Sequence, residues 1–78
     1  MRTQNAKTLQ SLIEKNGFGV GTLEGLDSNS FVLMTYTRRR LAEAGWSVND
    51  IDTVMDIAMR GTYMHLIWVL SFTLDETQ

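Results

Sequence analysis

A chain of 78 residues with no cysteine, no proline, one histidine and a formal net charge of −2 cannot carry a disulfide framework, a thiolate-held zinc or an iron–sulfur site, because the sulfur ligands are missing. A hydrophobic content of 44% against 21% charged residues excludes intrinsic disorder. A core this small holds only about 3–5 kcal/mol of net stability without a metal, a crosslink or a partner. The expectation is therefore one all-α domain over residues 1–78, in a reducing cytoplasm and associated with copies of itself.

The chain reads as three to four helices. The first is predicted from about Gln4 to Asn16, with Ala6, Leu9, Leu12 and Ile13 on one stripe and Thr3 or Asn5 as its cap. The residues before it are polar and lack the apolar stretch of a signal peptide. Gly17 ends this helix and opens an irregular, flexible connection that lasts to about Leu26. The glycines there match neither G-x-G-x-x-G nor G-x-x-x-x-G-K-[ST], since Thr22 and Glu24 stand where glycine is required.

A second helix is expected from Asp27 or Ser28 to Ala44, preferred over a strand across the β-forming Phe31–Thr37 because the continuation Arg38–Ala44 is strongly helical. With Asp27 as cap, Leu26 and Phe31 take the positions of a hydrophobic staple, and Leu33, Met34, Thr37, Leu41 and Ala44 form the inner face. Gly45 stops it. Ser47 caps a third helix, with Asp50 three residues on and Trp46 and Ile51 at staple spacing. Its inner face reads Val48, Ile51, Val54, Met55, Ala58 and Met59, and Asp56 and Arg60 make an i, i+4 pair. Gly61 is read as a third left-handed helix stop.

The last segment, 62–74, is too short to cross a bilayer. It is predicted as a helix apolar on two sides, which requires a central or shared position. A strand is the competing reading. Its partner would have to be the glycine-rich stretch 18–26 or a second chain.

The net charge divides unevenly. Residues 1–40 hold six basic groups against three acidic, and residues 41–78 hold one against six, so the chain carries opposite signs in its two halves. Asp50, Asp52 and Asp56 form a candidate acidic surface for a protein partner. They lack the central glycine and distal glutamate of a calcium loop, and one histidine without cysteine does not suit zinc, so neither metal nor cofactor is expected. Trp68 and Phe72, with Trp46, Met34, Met55, Met59 and Met64, suit an adaptable interface as well as a core. His65 has no nucleophile elbow beside it. It reads as a histidine satisfied by a hydrogen bond, and no enzyme is expected.

These features point to a non-enzymatic protein–protein interaction module, an adaptor or inhibitor of the type common in phages and mobile elements. Two alternatives stand. The helix–Gly–helix pattern across Arg38–Arg60 would suit a nucleic-acid-binding helix-turn-helix using Arg38, Arg39 and Arg40, although the acidic third helix opposes a phosphate backbone. Tyr36 with the same arginines could instead hold a small anionic ligand at a subunit boundary.

Overall fold

The apolar spacing resolves into four helices in a computed structural model that describes residues 2–75, with side chains from residue 4 onward. Helix α1 (Arg2–Asn16) buries Leu9 and Ile13 and leaves Leu12 and Ala6 half-covered. It begins before Gln4, so Asn5 lies inside the helix rather than capping it, and the Thr3 side chain falls outside the described ones. Gly17 and Gly45 adopt φ of 84° and 98°, the left-handed conformation expected just past a helix end.

Helix α2 (Ser30–Glu43) starts later than the sequence predicts. Asn29 is its cap, accepting from the backbone N–H of Phe31, while the Asp27 carboxylate accepts from the N–H of Asn29. The two acceptors shift the helix start past Asp27 and leave Phe31 exposed, so the Leu26–Phe31 staple is not made. Leu33, Thr37 and Leu41 are buried at four-residue spacing, and the Thr37 hydroxyl is satisfied by donating to the Leu33 carbonyl at 2.8 Å.

Helix α3 (Val48–Ala58) begins where predicted, with the Ser47 side chain accepting from the Asp50 N–H. Trp46 and Ile51 are both buried. Ile51, Val54, Met55, Ile57 and Ala58 face inward, whereas Val48 and Met59, assigned to that face from spacing, are exposed. They lie at or beyond the ends of the helix, where the neighbouring helices no longer cover the stripe. Gly61 does not have a positive φ. It is small for a different reason, because a Cβ there would lie 2.9 Å from the His65 ring.

Helix α4 (Tyr63–Thr73) replaces the competing strand over 62–74 and contacts all three other helices. Leu66, Val69, Leu70 and Thr73 are buried, and Ile67, Trp68 and Phe72 pack half-covered against the same core. The strand reading survives only at its end. Gly19–Val20 (β1) and Leu74–Asp75 (β2) form a two-stranded parallel ribbon, Gly19 opposite Leu74 and Val20 opposite Asp75. Part of the glycine-rich connection is thus a strand, and β1 lies against α2, where a Cβ at residue 19 would meet Leu41 and Leu74 within 3.0 Å.

Leu70 is fully buried. Truncating such a residue costs about 2–5 kcal/mol, close to the whole stability of a small domain. Leu70→Ala is expected to abolish the cooperative urea transition, whereas Met64→Ala, at an exposed site, is expected to shift it by less than about 0.5 kcal/mol.

Candidate functional site

The three carboxylates of the expected acidic surface point to three different neighbours. Asp50 reaches back to the end of α1, where its Oδ2 accepts from the Asn16 amide at 3.0 Å and pairs with Lys15 at 3.1 Å. The Asn16 hydrogen bond, followed by that from Lys15, holds the Asp50 carboxyl below its ordinary value of 3.8. Asp52 binds Arg38 across the α2–α3 packing at 3.0 Å, and Asp56 pairs with Arg60 just past the end of its own helix. Each negative charge therefore has a cation of its own, and the three do not converge. Among the described residues no group of three metal-ligating side chains comes together.

The basic triplet is dispersed in the same way. Arg38 is held by Asp52. Arg40 pairs with Glu43 at 3.2 Å and donates from Nε to the Val20 carbonyl, bracing the ribbon. Arg39 alone keeps its guanidinium free of an ion pair among the described residues and lies beside Tyr36 on an open groove. The Tyr36 hydroxyl accepts from the Thr22 N–H at 3.3 Å and packs over Gly21, so it anchors the connecting loop.

His65 is tied down as expected. Its Nε2 lies 2.9 Å from the Ile57 carbonyl, and because a carbonyl only accepts, Nε2 carries the proton. Its ring neighbours Trp68, with centroids 5.9 Å apart, and Trp68 meets Phe72 edge-on at 5.5 Å. Trp68 and Phe72, the aromatic partner-binding candidates, are thus half-buried in a chain of rings packed on the core.

A set of exposed apolar side chains lies elsewhere. Phe31 and Met64 are each 73% exposed and Met59 is 60% exposed, with Tyr63 and Val32 also on the outside. Phe31, Met34, Met59, Tyr63 and Leu66 line one groove where the start of α2 meets the α3–α4 corner, held closed at one end by the Tyr63 hydroxyl donating to the Ser28 carbonyl at 2.6 Å. Leu26, Phe31, Val32, Thr35, Tyr36 and Arg39 line a second groove along α2. Phe31 is the ridge between them. Its exposure was legible from spacing: two positions before Leu33 on a helix is about 200° away from the buried stripe. The same offset separates Met64 from Leu66.

Comparison with protein-family models, with curated proteins and with solved structures finds no match to this chain. No helix among the described residues is long and apolar enough to cross a membrane.

Asp50 yields a pH prediction. Its folded-state pKa is lowered, so its contribution is complete above the ordinary carboxylate value and is lost as pH falls through the lower folded value. In urea unfolding, the stability gap between wild type and Asp50→Asn is expected to be full at neutral pH and to narrow from about pH 3.8 downward.

Proposed function

We propose that this chain is a small protein–protein interaction module without catalytic chemistry of its own, an adaptor or inhibitor that binds through the apolar face around Phe31, Met59 and Tyr63. One observation carries the reading: large aromatic and methionine side chains stand exposed around a shared groove in a protein whose core is already closed without them. Single exposed apolar residues are ordinary on a surface, but a contiguous set of them marks a contact site. Methionine adds tolerance, since its unbranched, polarisable chain adapts to the surface it meets. The acidic alternative has less support because Asp50, Asp52 and Asp56 are each occupied within the fold. The nucleic-acid alternative is weakened by the pairing of Arg38 and Arg40, which leaves few cations for a phosphate backbone.

Photo-crosslinking in cells tests the proposal. A benzoylphenylalanine in place of Phe31 is expected to capture a discrete protein partner, and the same group in place of the exposed Ser11 on α1 is expected to capture none. With that partner purified, Phe31→Asp is expected to weaken binding by about thirty-fold or more, as for a central interface residue. Equal capture from both positions, or binding indifferent to Phe31→Asp, overturns the reading.

A further inference from the structure

The two grooves flanking Phe31 share a single charge. No carboxylate lines either of them, and Arg39 is their one charged side chain. Asp27 stands before the Asn29 cap and lines neither. Arg39 forms no ion pair among the described residues, unlike Arg38 and Arg40 beside it. It lies two helical turns from Phe31, about 12 Å along the axis of α2. The spacing of the lining sets the shape that fits. Val32, Thr35, Tyr36 and Arg39 stand at i, i+3, i+4 and i+7, the four neighbours that surround one gap on a helix surface. Such a gap takes a side chain of a second helix, knob into hole. Thr35, the smallest of the four, leaves the gap unfilled from within. Because α2 spends Leu33, Thr37 and Leu41 on the core, Phe31, Val32, Thr35 and Arg39 are left exposed.

We infer that the occupant of this face is an amphipathic helix of another protein, with a short apolar stripe and one aspartate or glutamate placed to meet Arg39. Its apolar side chains enter the gaps beside Phe31. Its carboxylate pairs with the guanidinium in the two-pronged geometry that arginine favours. Helix-in-groove recognition of this kind reads apolar anchors at three- and four-residue steps, and the single cation fixes which way the partner lies. A second copy presenting the same face brings no carboxylate to Arg39. An anionic membrane surface is recognised by clusters of about four to eight basic residues, and these grooves hold one. This occupant rests on the reading of the face as a contact surface and adds the partner's chemistry and secondary structure.

Selection of displayed helical peptides, randomised along one face, against the full chain tests this directly. Binders are expected to carry an apolar stripe flanked by an aspartate or glutamate. For a synthetic peptide of the selected sequence, Arg39→Glu in the chain is expected to weaken binding by about tenfold. Changing the peptide's carboxylate to lysine is expected to restore it on that variant. Arg39→Gln, which removes the charge without reversing it, is expected to give a smaller loss and serves where Arg39→Glu does not fold. Thr35→Trp, at an exposed site, is expected to abolish binding while the circular dichroism remains helical, because the indole fills the gap. Binders without acidic preference, or an affinity indifferent to Arg39→Glu and Thr35→Trp, overturn the inference. So does a homodimer in sedimentation that Phe31→Asp dissociates, since a second copy then covers the face. Failure here is separable from failure of the preceding proposal. A protein captured through residue 31 whose binding ignores Arg39→Glu leaves only the interaction-module reading standing. Charge-dependent helix binding with nothing captured in cells overturns that reading and leaves the preference of the groove.

Discussion

Helix α4 imposes the constraint to which the rest of the molecule answers. Apart from the Tyr63 hydroxyl, its polar side chains are His65, Ser71 and Thr73, so it has no complete polar face to turn to water. An apolar cylinder of this kind is stable only when other elements surround it. Helices α1, α2 and α3 do so, and the ribbon closes the end where α4 runs out at Leu74. The few polar groups are accommodated locally: Thr73 donates to the Leu70 carbonyl at 2.8 Å and His65 to that of Ile57. No buried side-chain nitrogen or oxygen among the described residues is left without a partner. What α4 cannot cover is its first turn, where Tyr63 and Met64 extend past the packed region. That is where the open apolar surface forms.

A second tie fixes the angle at which α1 joins this arrangement. The end of α1 docks on the corner between α2 and α3 through the buried Trp46, whose indole N–H donates to the Gly17 carbonyl at 2.8 Å. Asn16 spans the same joint, donating to the Leu12 carbonyl and to Asp50. At this helix end, where carbonyls would otherwise lack partners, the Asn16 amide serves Leu12, the Gly17 N–H serves Ile13 and the Trp46 indole serves Gly17. The ionic part of this joint is partly shielded, with the Asp50 side chain only 14% exposed. The Arg38–Asp52 and Arg60–Asp56 pairs stand open to water, where such bridges contribute little.

Local chemistry made much of the fold legible. Ser47 as a cap, Gly17 and Gly45 as stops, and the buried spacing Leu33–Thr37–Leu41 are short-range signals, and each corresponds to an observed feature. Misreadings occurred where two residues competed for one role. Asp27 and Asn29 are both good caps, and the choice between them decides whether Phe31 is a staple or an exposed ridge. Val48 and Met59 keep the period of α3 but lie at or past its ends, so period alone could not say that nothing covers them. Of the residues singled out for function, Arg40 and Asp56 pair with near neighbours in the chain, whereas Asp50 with Lys15 and Arg38 with Asp52 pair across helix contacts. That pairing depends on helix packing and is invisible in a linear pattern. The ribbon was legible only as the pairing a competing strand in 62–74 would need: two residues on each side are too few to show alternation, and their partners stand far apart in the chain.

That remoteness bears on the order in which the protein folds. Joining Gly19 to Leu74 encloses most of the chain in one loop, and the entropy lost in closing it grows with the length enclosed. Four residues of parallel pairing recover too little to meet that loss unaided. The ribbon therefore forms only once α2, α3 and α4 have already brought its halves together, as a latch that shuts late on a nearly assembled bundle.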